Sequence, residues 1–304
     1  MSRPIQTILV AVDFSTGSRA ALDQASRIAI QHGAKLHVLH VIDRDALAAL
    51  ADSRKEPFES AVTHATDGGH KALNQWLAQS KLPAAFEITL VVGAPLHEIL
   101  EHVKSLKADM LVAGIAGSGE NAAGAGSVSG KLARKSSVDV LLVRADQPQP
   151  FQKIVACVDF SEHSHRVVEL AREIAVQDSA SVDFLHVWKD PGSMLPVMGP
   201  FGESGLSMVN LSVSPHEELL HAIQAQLHDF VKDTSQGVNA HEVLHEDRNL
   251  GRGIADHAEK AAADLIILGA LGRTNLRYLL LGSTAERVLT RLPCSVLVVK
   301  PPHE

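Results

Sequence analysis

Short runs of consecutive apolar residues alternate along the chain with longer stretches of helical periodicity. The runs from Ile8 to Val12, from Val140 to Val143 and from Leu265 to Leu268 have the length and continuity of strands buried on both faces. Between such runs, apolar residues recur at three- and four-residue spacing. Leu73, Trp76 and Leu77 form one stripe; Val168, Ala171, Ile174 and Ala175 form another; Leu219, Leu220, Ile223, Leu227, Phe230 and Val231 form a third. These are helix faces turned to a core. Ser161 is placed to cap the second helix, and Ser214-Pro215-His216-Glu217 combines a capping-box pattern with proline at the first helical position of the third. Strands alternating with helices predict a parallel sheet covered by helices.

The same elements occur twice. TILVAVDFS (Thr7 to Ser15) returns as KIVACVDFS (Lys153 to Ser161), 146 positions on, and at the same offset LHVLHVID returns as VDFLHVWK, aligning His40 with His186. ADMLVAG (Ala108 to Gly114) matches ADLIILG (Ala263 to Gly269) at an offset of 155, and VDVLLVR matches CSVLVVK at 156. A single jump between steady offsets predicts duplicated domains with about nine extra residues in the second copy. The copies meet near the polar, proline-containing stretch from Asp146 to Pro150, which puts the domains at 1–147 and 151–304. From Asp190 to Ser214 periodicity is lost and Gly, Pro, Ser and Met accumulate. Met194, Leu195, Met198 and Phe201 are read as packing back onto the protein, with a loop that covers a ligand or docks a partner as the alternative.

Composition narrows this picture. The 304 residues, 45% of them hydrophobic, suffice for two sizeable cores. A formal net charge of -7 gives no general attraction to nucleic acid. The cysteines, Cys157 and Cys294, both lie in strand-like runs and read as core residues, with neither a disulfide framework nor zinc spacing. No stretch approaches the roughly 18 apolar residues of a membrane span, and the N-terminus lacks the layout of a secretion signal. The expectation is a soluble cytoplasmic protein without nucleic-acid or membrane partners.

Candidate chemistry concentrates after the run ending at Leu268. Gly269 closes the strand, Gly272 follows three positions on, and nine residues later Gly282-Ser283-Thr284 opens a helical pattern. Positions without a Cβ admit a ligand close to the backbone and tolerate positive φ. Unpaired N–H groups of Gly282, Ser283 and Thr284 at a helix start favour an anion, the two hydroxyls add donors, and Arg273 supplies a nearby cation. Ordinary loop punctuation with Ser283 as an N-cap is the competing explanation.

The spacing of Gly269, Gly272 and Gly282-Ser283, together with ADLIILG before it and PCSVLVVKPP after it, resembles the ATP-binding signature of the universal stress protein family. The resemblance implies two tandem doubly wound α/β domains of the adenine nucleotide alpha hydrolase-like kind. Each is expected to hold a five-stranded parallel sheet in order 3-2-1-4-5 with helices on both faces. The last strands, Val138 to Val143 and Cys294 to Val299, are expected where the copies pair within the chain. It further implies that Asp159 approaches the adenosine moiety, that the backbone at Val187 meets the adenine edge, and that Leu268 and Gly269 lie beside the ribose. Gly272, Gly282, Ser283 and Thr284 are expected around the phosphates of ATP, ADP or AMP, with Mg²⁺. An aspartate that caps the following turn is the alternative for Asp159.

The first copy departs from this pattern. Asp13, Val41, Gly114 and Gly117 are in place, but eight residues rather than nine separate Gly117 from Gly126-Ser127, and the loop gains Glu120. Weaker nucleotide binding, or none, is expected there. His163 and His165, two positions apart at a helix start, face different ways and are read as solvated, and His40 and His186 as structural. No catalytic triad is assigned. The expected function is an ATP-binding regulator or sensor of stress response, with an unidentified regulatory partner and a possible homodimer. A slow ATP hydrolase and a non-nucleotide adaptor are the alternatives.

Overall fold

The structure is a computed structural model and describes residues 4–115, 128–146, 150–190, 215–272 and 281–301. Arg273, Gly117, Gly126, Ser127, Glu120, Ser214 and the apolar residues of the 190–214 stretch lie outside the described residues.

In the first copy the strands are β1 (Thr7–Val12), β2 (Lys35–Asp43), β3 (Phe86–Gly93), β4 (Met110–Ile115) and β5 (Asp139–Arg144). The described helices of that copy are α1 (Thr16–His32), α2 (Arg44–Arg54), α3 (Phe58–Leu77), α4 (Pro95–Ser105) and α5 (Val128–Lys135). The second copy has β6 (Lys153–Cys157), β7 (Ser181–Trp188), β8 (Asn239–Glu246), β9 (Leu265–Gly269) and β10 (Ser295–Val299). With them run α6 (Glu162–Asp178), α7 (Pro215–Val231), α8 (Leu250–Lys260) and α9 (Ser283–Arg291).

The strands form one ten-stranded sheet in the order β3-β2-β1-β4-β5-β10-β9-β6-β7-β8. Each half has the expected 3-2-1-4-5 order and is parallel throughout. The halves join through antiparallel pairing of β5 with β10, where Val298 faces Val140 and Val296 faces Leu142. Alternation along the strands feeds two helical layers: Ile8, Val10 and Val12 pack with α1, α3, α6 and α7, and Leu9 with α4, α5, α8 and α9. Both clusters run unbroken across the seam. The apolar stripes read from the sequence hold, with Leu73, Leu77, Val168, Ala171, Ala175, Leu227 and Val231 all buried.

Side chains reinforce the seam. The Lys300 N–H donates to Asp139 Oδ1 at 2.8 Å, and Arg166 of α6 donates to Asp139 Oδ2 at 2.5 Å and to the Lys300 carbonyl at 2.6 Å. The pseudo-equivalent contact has the Arg144 N–H donating to Ser295 Oγ at 3.1 Å. Burial draws the Lys300 ammonium down to about 8 despite the Asp139 charge beside it. Where α1 meets α6, Asp178 takes both arms of Arg27 and the Phe151 N–H, the latter at 3.0 Å.

A second buried carboxylate sits at the amino ends of the second copy's strands. Asp183 of β7 accepts from Lys153 and from His257 Nε2 at 3.0 Å, with His241 Nδ1 at 3.3 Å. Burial alone would raise its pKa, but the hydrogen bonds from His257 and Lys153 outweigh burial and bring it to about 2 from 3.8. A carboxyl depressed on folding stabilises above its unfolded value, and that stabilisation is lost as pH falls through the folded one. Asp183 therefore contributes about 2 kcal/mol above pH 4, fading between roughly pH 4 and 2. Urea unfolding of Asp183→Asn against wild type should show that gap near neutrality and a narrowing gap in acid. A gap independent of pH would refute the assignment.

Candidate functional site

The turn after β6 joins chain neighbours, Asp159, Phe160, Ser161 and Ser164, to His186 of β7, which only the fold brings to them. Phe160 takes a left-handed conformation, φ 62°, which is costly for an aromatic residue unless neighbours hold it. His186 of β7 does so: its ring packs on Phe160 with centroids 4.3 Å apart, and its Nδ1 lies 2.7 Å from the Val158 carbonyl. The first copy repeats the device with Phe14 (φ 66°) on His40 and Nδ1 2.8 Å from the Val12 carbonyl. The structural reading of both histidines is thereby explained.

Asp159 stands on this turn, half-buried. Its Oδ1 accepts from Ser161 N–H at 3.0 Å, from Ser161 Oγ at 2.6 Å and from Ser164 Oγ at 2.6 Å, while its own N–H donates to Ser164 Oγ at 3.1 Å. The turn-capping alternative thus describes Oδ1. Oδ2 receives no donor from the described residues, and a Cβ placed on Gly272 would sit 3.3 Å from it. Ser161 is the N-cap residue of α6, as expected, but its hydroxyl goes to Asp159 and makes no cap bond. Ser164, at 4% exposure, is a site residue that sequence reasoning missed; its signal was the recurrence of serine at positions 18 and 164 behind the repeated DFS.

Gly269 ends β9, and a Cβ there would meet the Leu271 carbonyl at 3.1 Å. The chain then closes on itself. The Ala270 N–H donates to the Val299 carbonyl at 2.8 Å, and the Gly282 N–H donates to the Ala270 carbonyl at 2.6 Å. This corrects one expectation: the Gly282 N–H is spent on closing the loop and is not open to an anion. Gly282 is the N-cap of α9, without a side-chain cap, and the first intrahelical donor is Glu286 N–H at 3.0 Å from its carbonyl. The N–H groups of Ser283, Thr284 and Ala285 therefore make up the open end of the helix. Val187 lies near the end of β7 with its side chain buried, and Leu268 is buried beside Gly269. Asp159, Gly269, Gly272 and the start of α9 share the carboxyl ends of adjacent strands, where an open doubly wound sheet receives ligands.

The first copy is built more tightly at the same place. Gly114 ends up against α1: a Cβ on it would lie 2.2 Å from the Gly17 carbonyl carbon and 2.6 Å from the Ser18 N–H nitrogen. Gly17 in turn faces the Ile115 carbonyl oxygen, at 2.7 Å from a Cβ placed on it. Position 17 corresponds to His163 in the second copy, so this backbone-to-backbone contact has no counterpart there. Ser129 Oγ also donates to the Gly114 carbonyl at 2.8 Å. Asp13 keeps its bonds from Ser18 Oγ and Ser15 N–H, which hold its carboxyl below the ordinary value although burial opposes them. Val41 is half-buried at the end of β2.

Other candidates resolve into structure. His165 is exposed but stacks on Phe230, centroids 4.1 Å apart and planes within 17°. Both cysteines are free, Cys294 buried and Cys157 half-buried. Burial pushes both thiols up, Cys294 to about 12, which leaves them unreactive. Among the described residues, no helix is long and apolar enough to cross a membrane.

The model of the universal stress protein family matches the chain twice, over residues 4–144 and 150–300. This chain belongs to the universal stress protein family. It is 28% identical over 305 residues to a universal stress protein of Mycolicibacterium smegmatis, covering 97% of each chain. A universal stress protein of Methanocaldococcus jannaschii is 32% identical over 159 residues, 51% of this chain and 85% of that one. In fold it is similar to the crystal structure of a universal stress protein from Archaeoglobus fulgidus, with a TM-score of 0.67, 18% identity, and coverage of 97% of this chain and 98% of that one.

Proposed function

We propose that this universal stress protein is a stress-response regulator or sensor whose second copy binds an adenine nucleotide, ATP or its ADP or AMP form. In this reading the nucleotide lies between the turn after β6 and the loop from β9 to α9. The observation that carries it is Asp159. Three donors fix Oδ1, while Oδ2 is left facing Gly272 with no donor from the described residues. A half-buried acceptor held in this way is suited to ribose hydroxyls or the adenine amino group. The orphan N–H groups at the start of α9 and the positive end of that helix suit phosphates, with Mg²⁺ carried on the phosphate oxygens. Gly269 and Gly272 let the ligand approach the backbone. In the first copy the Gly17 contact fills the cleft edge beside Gly114, which supports weaker binding there or none. Free thiols suit a reducing compartment such as the cytoplasm, and the output would pass to a protein partner.

Calorimetric titration of nucleotide-stripped protein with ATP and Mg²⁺ tests this reading. One site per chain is expected; Asp159→Ala should weaken binding by at least about tenfold, and Asp13→Ala should leave it unchanged. Equal loss in both variants would mean that both copies bind. Wild-type affinity in Asp159→Ala would remove the site. Steady release of ADP from the same samples would turn the reading toward a hydrolase.

A further inference from the structure

Besides the two layers on the sheet, the first copy has a third, small core over the carboxyl ends of β2 and β3. Leu47 and Ala51 of α2 and Ala61 of α3 are its buried members, resting near Ile42 and Val92. It is incompletely filled. Between α2 and α3 a cavity of about 170 Å³ is floored by Leu47, Leu50, Ala51, Ala61 and Ala65, with Arg54, Glu56 and His64 on its polar side. Three alanines meet where larger side chains would close the gap, and Leu50 stays 42% exposed at its edge. For scale, an apolar cavity of roughly 150 Å³ takes up a benzene molecule.

The polar side is asymmetric. Glu56 Oε1 lies 2.8 Å from His64 Nδ1, and the Ser60 hydroxyl and His64 hold this carboxyl below its usual range. Its charge is thus already engaged. The Arg54 guanidinium adds its charge to the same effect on Glu56, but it makes no hydrogen bond or ion pair among the described residues, and a planar guanidinium matches a carboxylate with two parallel donors. A pit of one-ring size with an apolar floor, beside a guanidinium whose donors make no hydrogen bond among the described residues, has the makeup of a small-molecule site: apolar walls and a few polar groups, of which Arg54 can orient a carboxylate.

We propose that the α2–α3 cavity of the first copy binds a small aromatic carboxylate, with its ring among Ala51, Ala61 and Ala65 and its carboxylate on Arg54. The site shares no residue with the nucleotide cleft and does not depend on it.

Benzoate is the probe, followed by ligand-detected NMR saturation transfer and by titration on the full-length protein. Saturable binding with a millimolar or tighter Kd is expected for nine heavy atoms. Arg54→Gln should weaken it about tenfold. Ala61→Leu, which fills the pit, should abolish it, and Ala65→Leu serves the same purpose if the first variant folds poorly. Benzylamine should bind at least about tenfold more weakly than benzoate. The proposal is overturned by absence of saturable benzoate binding to wild type, by unchanged affinity in a filled-pit variant whose melting curve is native-like, or by benzylamine binding as tightly as benzoate.

Discussion

Gly114→Ala is expected to destabilise the protein by about 3 kcal/mol, although alanine is the smallest possible addition. A Cβ at this position would come within 2.2 to 2.6 Å of three backbone atoms of Gly17 and Ser18. Backbone in the first turn of α1 cannot rotate away as a flexible side chain would. It can only lift α1 from β4, and α1 carries Ala21, Leu22 and Ala25, all fully buried. The pseudo-equivalent Gly269→Ala meets one carbonyl oxygen at 3.1 Å and should cost less than about 1 kcal/mol. Urea unfolding of the two variants side by side decides the matter. Equal destabilisation would mean that the close approach of Gly114 to Gly17 and Ser18 does not set the cost. The expected difference also bears on the proposed function, because the glycine that ends the fourth strand serves helix–strand packing in the first copy and is free of that contact in the second, where the proposed nucleotide site lies.

Asp139→Ala is expected to cost about 3 kcal/mol or more. The carboxylate, 4% exposed, is the acceptor for both the Lys300 N–H and Arg166. Without it a buried N–H loses its partner and a guanidinium loses its counterion, and leaving such groups unpaired costs more than the intact contact contributes. Burial pushes the Asp139 carboxyl up even with Arg166 beside it, so the pair is not a large net source of stability. Removing both partners in Asp139→Ala/Arg166→Met should accordingly restore part of the loss. A double-mutant cycle measured by urea unfolding reads this as a coupling of about 1.5 kcal/mol or more. Additive effects would show that Arg166 and Asp139 stabilise the seam separately. Because the contact joins the copies, the single variant is also expected to broaden the unfolding transition or split it in two.

Much of the candidate site was legible because its signals are local. The repeat placed Asp13 opposite Asp159 and His40 opposite His186, and the glycine spacing marked the route from β9 to α9. Reading the N–H of Gly282 as open was the point where local reasoning failed. Its bond to the Ala270 carbonyl crosses a loop of a dozen residues, and no pattern of residue types distinguishes a glycine that faces a ligand from one that closes a loop. Ser164 was passed over for a related reason. A serine one turn into a helix is unremarkable until the turn before it brings a carboxylate onto its hydroxyl.

The sequence by itself determined the buried apolar runs, the helix faces and the duplication, since these follow from hydrophobic period, turn residues and repetition along the chain, while the order of strands within each copy came from the family resemblance. Only the tertiary structure decided how the copies share one sheet and two continuous cores, which oxygen of Asp159 is spent, and why Gly114 and Gly269 differ. It also decided that Arg54 stands beside a cavity without a hydrogen-bond partner among the described residues while Arg166 clamps a seam. Each of these turns on a distance between residues far apart in the chain, fixed when side chains and backbone pack to solid density.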